Sequence, residues 1–503
     1  MKYPIFLKYK QAVYTVLVLS MIGLGMELNA QDIIPYTKNP RYWQYKGKPV
    51  MLLGANKTDS PYLLPNQEAY YDSLASKGGN YTRYVVKQRL VPDLVQIFPF
   101  QKGADGMYDL NQWNEEYWER FEQGIKLTAA RNIVLQLELW DRFDIGSEHS
   151  YKVSTWRPEN NINYTEQESG LPNQWKGDDA VIHKHPFFAA VPALDNNKFL
   201  LQLQQKYADK VLSIALKYDH ILYVVTNEST LNPEWSKYWA TYIREKADAM
   251  KKKVQISEMP WTIADRFPFD WQHTALGDPD KWINHVIEHP ELYSFSAFQF
   301  QPIMSSRQDH YDRLTEIYKR VQTSAGGPRP VNAVKVFASE RIFGGANDAN
   351  RQARFWRPLM AGWAAVSLHR QHPNSPYLGF SDKGQRNLAA ARKFSDAIKP
   401  WECTPSQQLL HNRESDEAYV LANPGRAYGI YFPASGTIDL ELTKKSTTYY
   451  LQWISIETGE YVEAPIKIKA KNRLTLQTPD SGSGEGWAAT LTTDSSVLHT
   501  KAK

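Results

Sequence analysis

Ile221-Leu-Tyr-Val-Val-Thr-Asn227-Glu228-Ser229 is a short β-branched run, free of charge until it ends in an amide and a carboxylate. Such a run reads as a strand buried on both faces, the kind that parallel sheets use. In a (β/α)8 barrel the C-terminal ends of the strands carry the chemistry. Whether Asn227 and Glu228 merely close a strand or open a site depends on how many similar units flank them.

Strand-like runs, most of them followed by helical patterns, recur on both sides. Residues 50–54, 80–85 and 133–140 precede the stretch, and 254–258, 293–300, 334–340 and 362–369 follow it. The pattern after the second run places Trp118, Phe121, Ile125 and Leu127 on one helical stripe among charged residues. The opening stretch is thus the fourth strand of eight. Eight strands alternating with helices imply a closed parallel barrel, although the count alone leaves an open doubly wound sheet possible. Near Pro400 the pattern changes to short alternating segments at 419–422, 427–432, 437–442, 448–454, 473–477 and 487–491, separated by Asn-Pro-Gly, Ser-Gly and Thr-Gly turns. The expected fold is α/β: a (β/α)8 TIM barrel over residues 31–400, then a linker and a small all-β antiparallel sandwich over 401–503.

Residues 1–30 read as a secretory signal peptide: Lys2, Lys8 and Lys10 precede an apolar run from Ala12 to Leu24, and Ala30 offers a small residue before Gln31. No cysteine stands there for a lipid anchor, and no other segment is apolar enough to span a membrane. Cys403 is the only cysteine, which excludes an intramolecular disulfide framework. An exported chain of this kind fits a bacterial periplasm or surface. Asn80-Tyr-Thr82 and Asn227-Glu-Ser229 match glycosylation sequons but fall on expected strands, where a glycan has no room. The leader holds three Lys and one Glu, so the formal charge falls from +5 to +3 without it, too balanced to point to nucleic acid. The 16 Trp and 30 Tyr suit both a large core and sugar binding, and composition does not separate the two.

Side-chain alternation sets out the candidate site. On the third strand Leu135, Leu137 and Leu139 form the helix-facing set, which sends Gln136, Glu138 and Trp140 inward with Asp141 at the mouth. On the eighth strand Ser367 and His369 face inward. Glu228 shares a face with Val224 and Thr226, Glu258 with Ile256, and Glu340 with Val336 and Ala338. Glycoside hydrolysis uses two carboxyls, in the retaining route roughly 5–5.5 Å apart, one attacking C1 while the other donates and then accepts a proton. Strands four and seven lie across the barrel from one another and can present Glu228 and Glu340 in this way. The proton donor needs a raised pKa, which a neighbouring carboxylate supplies. Asn227 is placed to meet a sugar 2-hydroxyl, and Arg83 to hold Glu340 ionised. No metal or other cofactor is expected.

Asn227-Glu228 ending strand four, Glu340 ending strand seven and Arg83 ending strand two resemble the clan-A (β/α)8 retaining glycoside hydrolases. Gly47-Lys-Pro-Val-Met-Leu-Leu-Gly54 resembles the start of strand one in that clan. Tyr419-Val-Leu-Ala-Asn-Pro-Gly425, Gly429-Ile-Tyr-Phe-Pro433 and Trp453 with Thr458-Gly459-Glu460 resemble the collagen-binding-type sandwich that follows apiosidase-like barrels in gut bacteria. The resemblance implies that Glu228 is the acid/base and Glu340 the nucleophile of a secreted enzyme acting on plant or algal oligosaccharides or polysaccharides. Two departures mark a cousin and leave the apiose substrate behind. Gly54-Ala-Asn-Lys-Thr-Asp59 stands where apiosidase-like barrels tend to show Gly-Asp-Thr-Ala-Trp, and strand four ends in Asn227-Glu228 where theirs tends to end in Asp.

Other residues compete for roles. Glu258 could replace either carboxylate, bind substrate or be a hydrogen-bonded wall residue; Glu138 and Asp59 read as substrate contacts or structural acids. Asp141 and Asp144 read more readily as loop caps than as catalysts. His183-Lys184-His185 has metal-ligand spacing but lacks an accompanying acidic cluster. The same loop carries Trp156 and Trp175, expected either to fold over the mouth or to pack on the exterior. A non-catalytic glycan-binding or adhesion protein on an inactive barrel is the alternative function.

Overall fold

The computed structural model describes residues 32–86, 90–176, 184–229, 232–260, 279–299, 307–336, 348–370, 378–479 and 486–497. Its first unit contains eight parallel strands: β1 (Leu52–Ala55), β2 (Tyr81–Val85), β3 (Val134–Asp141), β4 (Ile221–Asn227), β5 (Gln255–Ser257), β6 (Ser296–Phe298), β7 (Val331–Val336) and β8 (Ala365–Leu368). They pair in the order β5-β4-β3-β2-β1-β8-β7-β6. The two outer strands also meet: Ser294 N–H donates to the Ile256 carbonyl at 2.9 Å and Ala297 N–H to Ser257 Oγ at 3.0 Å. The order is therefore cyclic. Every residue of these strands is buried, which explains their near-continuous apolar runs.

A helix follows each strand: α1 (Gln67–Ser76), α2 (Glu115–Ala130), α3 (Lys198–Ala215), α4 (Pro233–Ala249), α5 (Pro279–Glu288), α6 (Arg307–Thr323), α7 (Asp348–Met360) and α8 (Asp382–Ile398). This is a TIM barrel. Side-chain caps fix several helix starts: Asn66 accepts from Ala69 N–H, Asn197 from Leu200 N–H, and Asn232 from Glu234 N–H just ahead of Pro233. On α3 the buried residues Leu200, Gln204, Tyr207, Val211 and Ala215 recur every three to four positions and seat the helix on the barrel. No helix among the described residues is long and apolar enough to cross a membrane.

Below the barrel, Asn39–Tyr45 pairs with Lys48–Val50 through a turn at Lys46 and Gly47, both with positive φ (51° and 74°). Two such residues give the primed turn whose twist matches the strands. Trp43 from this hairpin is fully buried, and its Nε1 donates to Asn332 Oδ1 at 2.9 Å at the start of β7.

The elements agree with the sequence reading in order and type but not everywhere in position. β7 begins at Val331 rather than 334, and its ladder to β8 shifts register between Ala333 and Val336. Helix α5 has no counterpart in the sequence reading. The second unit is a sandwich: a large antiparallel sheet built on Tyr419–Asn423, Ala427–Phe432, Trp487–Thr492 and Thr447–Ser455 faces a small one of Leu410–His411, Thr437–Glu441 and Arg473–Gln477. Ile438, Leu440 and Leu476 of the small sheet meet Ile430, Phe432, Trp453 and Leu491 of the large one in a single core. Ile466–Ala470 is an additional strand on the large sheet, unforeseen from the sequence. The sandwich packs on the barrel through α7 and α8: Trp356 stacks on Tyr431 (5.1 Å, 9°), Arg357 Nη2 donates to Asp416 Oδ1 at 2.8 Å, and Lys393 Nζ on α8 donates to the Gly459 carbonyl at 2.6 Å.

Candidate active site

At the C-terminal ends of the strands, ionisable side chains from β2, β3, β4, β7 and β8 converge. Strand β4 ends at Asn227, and Glu228 turns into the left-handed region with φ 56°. Ser229 N–H is caught by the Met259 carbonyl at 2.7 Å, which ties this corner to the end of β5. A non-glycine residue held there stores on the order of 1–3 kcal/mol of strain, and unlike other described positive-φ residues, such as Lys46, Asn132 and Lys399, Glu228 adopts it at the mouth of the barrel. The Glu228 carboxylate accepts from Lys335 Nζ and from Gln299 Nε2 (2.9 Å), with Arg142 Nη2 3.7 Å from its second oxygen. All of these are donors or cations, so the carboxylate is arranged as an acceptor.

Asn227 links this corner to the rest of the mouth. Its Oδ1 accepts from Lys335 Nζ at 2.5 Å and Arg83 Nη2 at 3.3 Å, and its Nδ2 donates to Asp141 Oδ1 at 3.0 Å. Arg83, fully buried, grips Glu138 with two guanidinium nitrogens, Nε at 2.8 Å and Nη2, while Nη1 donates to Asp59 Oδ1 at 2.6 Å. Asp59 also pairs with Arg370 Nε at 2.6 Å, and His369 Nδ1 lies 3.7 Å away. Asp141 additionally caps the short helix Arg142–Gly146 by accepting from Phe143 N–H at 3.0 Å.

These charges set the protonation. Burial pushes the Glu228 carboxyl up, but Lys335, Arg142 and the Lys335 and Gln299 hydrogen bonds outweigh it and hold it below the usual carboxylate range. That direction is opposite to the raised value expected of a resting proton donor. Burial likewise pushes Asp59 up, and Arg370, His369, Arg83 and Lys335 together hold it well below its ordinary value. Burial lowers the Lys335 ammonium, with Glu228 pulling it back upward. Burial also lowers His369 far below the ordinary histidine value.

Of the residues singled out from sequence, Glu228, Asn227, Arg83, Glu138, Asp141, Asp59 and His369 come together. Arg83 serves Glu138 and Asp59. Glu340 and His183 lie outside the described residues. Two candidates stand elsewhere. Trp140 does not follow Glu138 inward: its ring lies against Trp239 (4.8 Å), Tyr207 (5.4 Å) and Trp235 (5.7 Å), all on helices, where an indole gains large apolar contact. Glu258 is fully buried, its oxygens accepting from Thr226 N–H and Met259 N–H (2.9 Å each) and from Ser236 Oγ on α4, the setting of a hydrogen-bonded wall residue. Burial raises its carboxyl to about 7. His185 is a helix cap, its Nδ1 accepting from Phe187 N–H at 3.2 Å. Trp156 packs on Phe187 (5.2 Å) and Tyr207 (5.9 Å), so that part of the loop lies on the barrel exterior.

The sequence reading missed Lys335, Arg142 and Gln299. A lone lysine inside the apolar run Val331–Val336 is itself a signal, because a buried ammonium needs a partner.

The fold and mouth define a TIM barrel with a C-terminal sandwich and a charge network at the strand ends. The profile of a domain of unknown function, DUF6298, matches residues 102–262, the stretch that carries β3, β4 and β5. No curated protein matches the chain. Among solved structures, a glycoside hydrolase family 5 protein from Bacteroides vulgatus ATCC 8482 is similar over 92% of this chain and 93% of its own, with a TM-score of 0.59 and 12% identity. Another structure, described as a glycoside hydrolase, is similar over 93% of this chain and 98% of its own, with a TM-score of 0.58 and 12% identity. At such identity the likeness is one of fold, and it extends through barrel and sandwich together.

Proposed function

We propose that the protein is a glycoside hydrolase acting at the barrel mouth, with Glu228 as one of its two carboxylates and Glu340, at the end of the seventh strand in sequence, as the other. The observation that carries this reading is the left-handed backbone of Glu228, a strained non-glycine residue aimed into the mouth and held by Lys335, Gln299 and Arg142. In the retaining route Glu340 attacks C1 and Glu228 protonates the leaving oxygen, then activates the water that releases the sugar. Because Lys335 keeps Glu228 ionised in the free site, entry of substrate has to loosen that pair so that Glu228 takes up from water the proton it then donates. The substrates belong to plant or algal polysaccharide-derived glycans, and the enzyme acts after export to the periplasm or outside the cell.

A second reading has its own support. Asp59, Glu138 and Glu228 are each committed to a buried cation, an arrangement that also suits an inactive barrel retained for glycan binding. Turnover of a panel of aryl glycosides and plant and algal oligosaccharides separates the two. Release of sugar that disappears in Glu340→Ala is the expected result. Failure to cleave any member, with polysaccharide retained in pull-downs, overturns the enzyme reading.

A further inference from the structure

On the flank of the barrel, away from the mouth, α3 and α4 enclose two adjoining depressions of about 720 and 350 Å³ that share Gln205 and Tyr242 in their walls. Trp113, at the end of the strand Tyr108–Trp113, stands at one end of the trough; Tyr238, one turn before Tyr242 on α4, stands at the other. All three aromatics are half-buried. The two tyrosine rings lie nearly parallel, 6.2 Å apart at 23°. One face of Trp113 is taken by Phe100, stacked at 5.1 Å. Towards the trough, Lys206 and Lys210 hold their ammonium groups 5.6 and 5.8 Å from the Trp113 ring.

The charge at this end is uneven. Lys206, Lys210 and Lys246 line the larger depression against the single carboxylate of Asp209, whereas the smaller one sets Lys237 against Glu234 and Glu245, so the ammonium surplus lies at the Trp113 end. Asp209 takes Lys246 at 2.7 Å and the Tyr242 hydroxyl at 2.8 Å, and Lys210 lies 3.9 Å from Glu115. Lys206 is steadied by the Leu110 carbonyl and Asn111 Oδ1, so its ammonium is fixed by neutral acceptors. Half-buried aromatic edges, a side-chain amide and surplus ammonium groups in one open trough suit a ligand with apolar ring faces, hydroxyls and negative charge.

We infer that this trough is a second glycan-binding site, selective for polysaccharide bearing carboxylate or sulfate groups, with Tyr238, Tyr242 and the Trp113 edge contacting sugar rings and Lys206, Lys210 and Lys246 the anionic groups. It is separate from the mouth and does not depend on turnover there. The site would hold the chain on an acidic polysaccharide while the mouth works on a neighbouring segment.

The test is affinity electrophoresis of the full chain in native gels containing polygalacturonate, ι-carrageenan or a neutral galactomannan. The acidic polymers should retard the protein, more weakly as salt is raised, since exposed charges are screened. Lys210→Ser/Lys246→Ser should weaken retardation at least fivefold with an unchanged circular dichroism spectrum, and Tyr242→Ala should weaken it without altering charge. Glu228→Ala should bind as the parent does, which keeps the flank distinct from the mouth. Retardation unchanged by both flank variants, or absent from the start, overturns the assignment. So does equal retardation by galactomannan, or by DNA, the latter marking a plain ion-exchange surface.

Discussion

Lys335 Nζ and Glu228 Oε1 form a buried ion pair across the barrel mouth, their side chains 3% and 8% exposed. A cation reaching from β7 to the corner after β4 couples two strands that are not neighbours in the sheet. Removing one partner leaves the other charged and buried, which costs about 3–5 kcal/mol, whereas replacing both is far less damaging. Glu228→Gln and Lys335→Met should each therefore lower stability by that amount, and the double variant by clearly less than their sum. Urea unfolding of the four proteins measures the coupling; additive losses would mean that the pair does not hold the corner together.

The same pair makes a kinetic prediction. If Glu228 is the proton donor, Glu228→Ala should retain most of its kcat/KM on substrates whose leaving group needs no proton, with kcat lowered because the water of the second step loses its base, and should lose about 10²–10⁴-fold in kcat/KM on others. Lys335 depresses the Glu228 pKa, so Lys335→Gln should raise it and move the alkaline limb of kcat/KM to higher pH. Equal losses on both substrate classes, with an unmoved pH profile, would remove Glu228 from the acid role.

Glu340→Ala should abolish turnover, and azide should restore it with inverted glycosyl azide as product. Ordinary turnover by this variant would mean that another carboxylate is the nucleophile.

Glu258 should be visible in the pH dependence of stability. Its folded carboxyl titrates at about 7, above an unfolded value near ~4.3. The folded state thus binds the extra proton between these limits, so the stabilisation is complete below the lower one and is lost as pH rises through the upper. The loss is about 3–4 kcal/mol. Glu258→Gln should flatten the decline between about pH 4 and 7 in urea midpoints; a slope equal to the parent's would place the titrating group elsewhere.

The barrel was legible because the strands are apolar runs that end in polar residues and most of the helices between them carry an apolar stripe. Alternation pointed Glu138 and His369 inward, while Arg83 was placed only by the end of its strand and Asp59 only as a substrate contact or structural acid. It failed where the backbone departs from strict alternation. Lys335 lies in the register shift between Ala333 and Val336, and a shifted ladder re-aims side chains, so its charge marked it as needing a partner while alternation gave the wrong direction. Strands buried on both faces also give no amphipathic signal, so nothing local told Trp140 and Glu258 that they face the helices. In the sandwich, Ile466-Lys-Ile-Lys-Ala470 alternates strictly and so carried a strand signal that the sequence reading passed over; it is largely exposed and pairs with Thr447–Ser455.

Trp140 offers the sharpest check on that misplacement. Its indole is 3% exposed and lies within 6 Å of the ring centres of Phe187, Tyr207, Trp235 and Trp239. Truncation to alanine leaves a cavity between β3 and the helices, at a cost of about 3–5 kcal/mol. Trp140→Phe keeps part of the contact and should cost less. Neither change touches the mouth, so the folded fraction of Trp140→Phe should show the parent's KM together with a lower urea midpoint. A weaker substrate affinity at an unchanged midpoint would return the indole to the sugar-binding surface.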